Sequence, residues 1–189
     1  MAERGRIARF AAGAALFGTS LVAVRRGVSG PEERVFRRAN DAPDGIRVPV
    51  WSVMQAGTFV TVPVAAAVAL LVRRRELAAR IALAGTAAWL LGKAVKPLGG
   101  RSRPPALLPG VNVRDRFGED LGWVSGHSAV ATTLALVAAP DLPDGSRPAL
   151  VAVVGAVGFG RMYVGAHLPL DVVGGAGLGL MLGAVAAER

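Results

Sequence analysis

His127 and His167 are the only two histidines in the 189 residues, and each stands among groups suited to one kind of ligand. Val124-Ser125-Gly126-His127 opens an apolar run after a glycine-containing loop. The second histidine lies in Arg161-Met162-Tyr163-Val164-Gly165-Ala166-His167-Leu168-Pro169-Leu170-Asp171, between two further apolar runs. Upstream, Lys96 closes a run, and Arg103-Pro104 follow seven and eight residues later. A phosphate monoester carries close to two negative charges, and its transfer is helped chiefly by positioning and by neutralising the equatorial oxygens. Lys96, Arg103 and Arg161 would supply that clamp, the guanidinium forks bidentately and the ammonium as a compact point charge. The Ser125 hydroxyl and the backbone N–H groups near Gly126, at a helix N-terminus, add donors aimed at an anion.

The two imidazoles can divide the remaining labour. A carboxylate four residues after His167 can hold one ring nitrogen, fix the tautomer and leave the other nitrogen free to attack phosphorus. Asp171 has that spacing, with Pro169 shaping the turn between. His127 would protonate the departing alkoxide and then activate water against the phosphohistidine. Any one of these residues alone has an ordinary reading, because Lys and Arg snorkel at the ends of membrane spans and a lone interfacial His is simply solvated. Only the joint arrangement points to chemistry. There is no cysteine and no cluster of carboxylates for divalent ions, so neither a metal nor another cofactor is expected.

The elements that position these groups follow from hydropathy. Hydrophobic residues make up 52% of the chain and the mean hydropathy is +0.46, which marks the bilayer as solvent. Apolar runs fall at Ile7–Val24, Val50–Val72, Leu77–Val95, Ser125–Ala139, Ala149–Gly165 and Leu168–Ala187. A span takes about 20 residues, so the expected fold is all-α, an integral-membrane bundle of six transmembrane helices; five spans is the competing count. Residues 1–189 then form a single membrane domain, with the first span and an interfacial loop in 1–49 and the catalytic helical core in 50–187. Arg4, Arg6 and Arg9 ahead of an apolar stretch also resemble the start of a signal peptide, but Arg25-Arg26 follow in place of a small-residue cleavage site, and the segment reads as a retained span. A short amphipathic helix on the membrane surface fits Ser29 to Arg38, with acids early and bases late. Arg73 to Glu76 suits only a tight turn, and Pro97 to Val124 reads as a long irregular loop.

In this six-span arrangement the first loop, the Pro97–Val124 loop and the Arg161–Asp171 connection share the face opposite the termini. The candidate residues can therefore converge. Twenty-two Lys plus Arg against 13 Asp plus Glu, a formal charge of +9, would suggest nucleic acid in a soluble domain. Here the Arg clusters flank apolar runs and meet anionic headgroups, so the bilayer is the expected partner and no nucleic acid is expected. Gly175, Gly179 and Gly183 fall four apart on one face of the last span, and such faces let helices approach closely. Packing inside the bundle is the preferred use of that face, with a homodimer contact as the alternative. Basic residues are balanced between the two faces, which leaves the positive-inside rule indecisive until the functional cations are discounted; it then favours cytoplasmic termini in a multi-pass cell-membrane protein.

Lys96-x6-Arg103-Pro104, Ser125-Gly126-His127 and Arg161-x5-His167-x3-Asp171 together resemble the three-part signature of the type 2 phosphatidic acid phosphatase superfamily. That superfamily also includes vanadium haloperoxidases and glucose-6-phosphatase. The likeness covers roughly Val50 to Ala187. It implies a metal-independent lipid phosphatase with His167 as nucleophile, His127 as acid, Asp171 as its orienter, and Lys96, Arg103, Arg161 and Ser125 as phosphate ligands, with Gly126 beside them. The implied partner is a membrane lipid phosphate or diphosphate, and the implied site opens outside the cytoplasm. Two positions depart from the pattern: Val124 stands where proline is usual and Gly160 where serine is usual. Lys93, one turn before Lys96, lacks the spacing of the signature and reads as pore-facing or snorkelling. A non-catalytic lipid-phosphate binding or transport protein is the alternative, against which both His167 and Asp171 count. Haloperoxidases of this kind are soluble, and the span count argues against one.

Overall fold

The structure, a computed structural model, describes residues 2–118, 121–143 and 145–186. Among these the regular elements are all helical: α1 (Ala2–Val24), α2 (Gly30–Asn40), α3 (Arg47–Met54), α4 (Thr61–Leu71), α5 (Arg75–Ala94), α6 (Lys96–Gly99), α7 (Pro104–Leu107), α8 (Gly126–Ala138), α9 (Arg147–Tyr163) and α10 (Pro169–Ala186). Each apolar run read from the sequence is largely helical, the second in two pieces; Ala187, the expected end of the last, is outside the described residues. The stretches Glu3–Val24, Arg75–Leu107 and Pro169–Ala186 are each long and apolar enough to cross a membrane. Helices α8 and α9 have 13 and 17 residues, below the roughly 20 that span the hydrocarbon core untilted. Large apolar side chains also point outward, among them Val48, Leu71, Leu83 and Val151, each at least 72% exposed. An apolar exterior of this kind suits lipid and not water.

The second expected span is not one helix. The segment is broken after Gly57, and the two halves, Asp44–Gly57 and Thr61–Leu71, meet at 71°. The reason is tertiary. A Cβ at Gly57 would stand 2.6 Å from the His127 carbonyl oxygen and 2.9 Å from the His127 Cβ, so the chain turns where it meets the start of α8. Thr58 and Thr61 donate their hydroxyls to the Gln55 carbonyl at 2.8 and 2.6 Å, satisfying an acceptor that a continuous helix would have paired itself.

Helix α8 is central, touching α5, α9 and α10, while α10 lies between α1 and α8. Two glycine faces make α10 a spacer-free core helix. Cβ atoms at Gly179 and Gly183 would stand 2.6 Å from atoms of α8, the Ala129 carbonyl oxygen and the Leu136 Cβ respectively. On the other side a Cβ at Gly177 would lie 2.7 Å from the Phe17 nitrogen of α1. The Gly175, Gly179 and Gly183 face is thus filled by α8 of the same chain. Helices α4 and α5 pack on each other across a tight turn at Arg73, which adopts a positive φ of 60°.

The amphipathic segment is helical as expected, and it does more than lie at a surface. Ser29 caps α2 by accepting from the Glu32 N–H at 3.3 Å, as N-caps do. Its buried face carries Glu32, Phe36, Ala39 and Asn40, a spacing of four, three and one that makes one helical stripe. That stripe rests on α9 and reaches α10.

Candidate active site

The expected site residues come from helix ends. Lys96 opens α6, Arg103 immediately precedes α7, Ser125 caps α8, Gly126 and His127 are its first two residues, and Arg161 lies in the last turn of α9. His167 sits in the connection to α10, and Asp171 in the first turn of α10. Helix ends leave backbone groups unpaired, and here the loops use them. The N–H groups of Ala166 and His167 both donate to the Arg161 carbonyl, at 3.0 and 3.2 Å. Gly165 reverses the chain with φ 79°, and a Cβ there would lie 2.7 Å from the Asn112 carbonyl oxygen. This is a conformation and a space that only glycine fits at low cost.

Lys96, Arg103, Arg161, Gly126, His127 and His167 all line one cavity of about 540 Å³. Ser125 and Asp171 do not. Both are fully buried behind its wall, where the Ser125 N–H donates to the Asp171 carbonyl at 2.9 Å and ties α8 to α10. The Ser125 hydroxyl accepts from the Ser128 N–H at 3.4 Å, so in this state it caps the helix. The three expected cations are each held by their own frame: the Lys96 ammonium donates to the Leu121 carbonyl, Arg103 to the Ala166 carbonyl at 3.0 Å, and Arg161 lies 3.7 Å from Asp115. Arg103 also lies over the Phe117 ring at 5.0 Å, an arrangement that favours a cation.

His167 Nδ1 stands 3.6 Å from Asp171 Oδ2, a little beyond hydrogen-bond reach, as unliganded catalytic contacts often are. The same carboxylate oxygen accepts from the Leu168 N–H at 2.8 Å. Burial first, then the positive charges of Arg161, Arg103 and Lys96, hold the His167 pKa well below its ordinary 6.5, with a backbone hydrogen bond to Gly122 working the other way. The ring is therefore neutral at pH 7, with an unprotonated nitrogen to offer.

Other groups at the site have no spacing signal. Lys93 lines the cavity and lies 3.7 Å from the centroid of the Trp89 ring; Asp115, Arg116 and Phe117 join it from the long loop. Arg101, two residues before Arg103, turns away from the cavity. It donates to Glu32 through both terminal nitrogens, at 2.9 and 2.8 Å, and stands 3.5 Å from Asp171 Oδ1. Asn40 of α2, also buried, donates to the carbonyls of Asn112 and Tyr163 at 2.9 and 3.1 Å. It fastens the long loop to the end of α9. Among the described residues no group of three or more His, Cys, Asp and Glu side chains is placed to hold a metal ion. Gly160, at the position where serine is usual, has room for a Cβ only 3.3 Å from Met54 and Val50, so α3 packs where the hydroxyl would have been.

Comparisons with known proteins bear on the family and the fold. No curated protein matches the chain. Among solved structures, Aquifex aeolicus LpxE is 27% identical, with a TM-score of 0.71, over 81% of this chain and 92% of that one. The first transmembrane PAP2 type phosphatidylglycerolphosphate phosphatase from Bacillus subtilis is 19% identical and has a TM-score of 0.70, over 92% and 93%. A sequence model of the PAP2 superfamily matches residues 76–188, more than half of the chain and a range that includes Lys96, Arg103, both histidines and Asp171; the chain belongs to the PAP2 superfamily.

Proposed function

We propose that this membrane phosphoric ester hydrolase removes phosphate from a lipid phosphate or diphosphate through a phosphohistidine at His167, without a metal ion. The observation that carries the reading is one cavity lined by both histidines and by Lys96, Arg103 and Arg161. His167 Nε2 attacks phosphorus while Asp171, facing Nδ1, stabilises the imidazolium that forms. The P–O bond to the lipid breaks, and His127 delivers its proton to the leaving oxygen. The dianion's own charge favours the imidazolium form of a neighbouring histidine, which prepares His127 for that step. Water then attacks the phosphohistidine, His127 takes its proton, and the P–N bond breaks to release inorganic phosphate and neutral His167. The three cations neutralise the equatorial oxygens in both steps.

Polyprenyl diphosphate, phosphatidic acid and phosphatidylglycerol phosphate are the candidate substrates, and the aromatic cavity wall of Trp51, Phe59 and Trp89 suits a headgroup attached to an apolar tail. With cytoplasmic termini the cavity opens on the extracytoplasmic side of the cell membrane.

Rapid-quench labelling of the purified protein with a radioactive phosphate ester tests the mechanism. His167→Ala should form no phosphoenzyme from any substrate. His127→Ala should still be phosphorylated by p-nitrophenyl phosphate, whose leaving group needs no proton. It should also accumulate an acid-labile, base-stable adduct, because general acid–base help worth about 10²- to 10⁴-fold is gone from hydrolysis. An adduct on the His167 variant, or none on the His127 variant, refutes the assignment of roles.

A further inference from the structure

Arg101, two residues before Arg103, does not line the cavity, and its surroundings assign it other work. Its side chain and that of Glu32 are each 3% exposed, and Asp171 is fully buried. Two carboxylates and one guanidinium removed from water are costly unless their geometry is good, and here it is a bidentate fork onto Glu32, at 2.9 and 2.8 Å, with one nitrogen also 3.5 Å from Asp171 Oδ1. Glu32 grips the same turn a second time: its Oε1 accepts from the Leu170 N–H at 3.1 Å, one residue before Asp171. The carboxylate that faces His167 is thus bounded on one oxygen by the Leu168 N–H and on the other by a guanidinium whose own direction Glu32 fixes.

We propose that Glu32 and Arg101 are positioning residues that act through Asp171, setting the angle at which it meets His167 Nδ1, so that α2, outside the residues 76–188 matched by the family's sequence model, completes the catalytic device. The proposal rests on the reading of His167 as nucleophile and Asp171 as its orienter. Neither Glu32 nor Arg101 lines the cavity. Their loss therefore lowers the chemical step and leaves substrate binding, which belongs to the cavity cations, in place. The chain also reaches the site from a distance that signature spacing does not describe, 69 residues separating the two partners.

The test is a mutant cycle on the full-length protein in detergent, using whichever of phosphatidic acid, phosphatidylglycerol phosphate and polyprenyl diphosphate the wild type hydrolyses fastest. Glu32→Gln keeps the shape and loses the charge. It should lower kcat by up to about 10²-fold, the scale on which misplacing a reacting group by about 1 Å acts, with KM within about twofold. Combined with Asp171→Asn it should add nothing: the double variant should match Asp171→Asn alone within about twofold, because groups acting as one unit are not additive. Arg101→Lys, which keeps the charge and loses the fork, should behave in the same way and serves where Glu32→Gln does not accumulate. Losses that multiply, a change confined to KM, or failure of both single variants to yield folded protein would each show a merely structural pair and overturn the proposal. Full activity in Asp171→Asn would instead remove the reading beneath it, and is recognised without any variant of Glu32 or Arg101.

Discussion

Gly175→Ala probes whether the packing of α10 on α8 sets the catalytic geometry. A Cβ at this position would press on the Ser125 carbonyl oxygen and stand 3.1 Å from both the Ser125 carbonyl carbon and the Ser128 Cβ. The partners are mostly backbone, so no rotamer change relieves the clash and the helices must part. Alanine gains about 1 kcal/mol over glycine inside a helix, whereas overpacking costs about 1–3 kcal/mol. With backbone on both sides the upper part of that range applies, leaving a net loss of about 1–2 kcal/mol. For a chain of this length that lowers Tm by about 2–8 °C. The same displacement stretches the 2.9 Å hydrogen bond from the Ser125 N–H to the Asp171 carbonyl, moving His127 relative to the His167 and Asp171 pair. A shift approaching 1 Å costs about 10²-fold in rate. Gly155→Ala, in α9 with nothing within 4 Å of its Cβ, is the control and should keep full activity with Tm unchanged or raised. Thermal unfolding in detergent and steady-state kinetics on the two variants decide the matter. A Gly175→Ala protein with wild-type Tm and kcat would show that the close approach of α8 and α10 sets neither stability nor the site.

Two further outcomes are expected. EDTA should leave phosphate release intact and orthovanadate, a phosphate mimic, should inhibit it, because in the proposed mechanism Lys96, Arg103 and Arg161 neutralise the charge on phosphate; activity lost in chelator and restored by magnesium or zinc would contradict this. Cysteines placed singly at Val113 and Leu142, both exposed in a cysteine-free chain, lie before and after α8 and should differ in labelling by an impermeant thiol reagent in intact cells. Equal labelling would mean that α8 does not cross the membrane.

Much of this architecture is legible in the sequence because its signals are local. A helix that must satisfy its backbone in lipid announces itself by an unbroken apolar run, and the signature residues announce themselves by fixed spacing around helix ends. The break at Gln55 to Thr61 is invisible to hydropathy, since the run from Val50 to Val72 stays apolar throughout; its cause is the backbone of His127, more than 60 residues away. Ser125 illustrates the opposite failing. Its spacing marks it as a phosphate ligand, yet its hydroxyl meets the Ser128 N–H, because a serine before a helix is also a good N-cap and sequence does not rank the two uses.

Arg101 and Arg103 show how one loop separates structure from chemistry. They are two residues apart, a spacing that on a regular extended strand would put both side chains on one side. The loop is not regular, and Arg103 enters the cavity while Arg101 enters the protein interior. A guanidinium in the interior needs carboxylates, and two are supplied, by Glu32 and Asp171. A guanidinium in the cavity is placed where the substrate brings the negative charge. Composition counts the two arginines alike; their surroundings separate them, Glu32 and Asp171 for Arg101 and the cavity for Arg103. The Ala166 carbonyl that Arg103 contacts at 3.0 Å is bonded directly to the His167 nitrogen, so the proposed phosphate ligand and the proposed nucleophile are tied to the same peptide unit, while Arg101 and Glu32 fasten the turn on its other side.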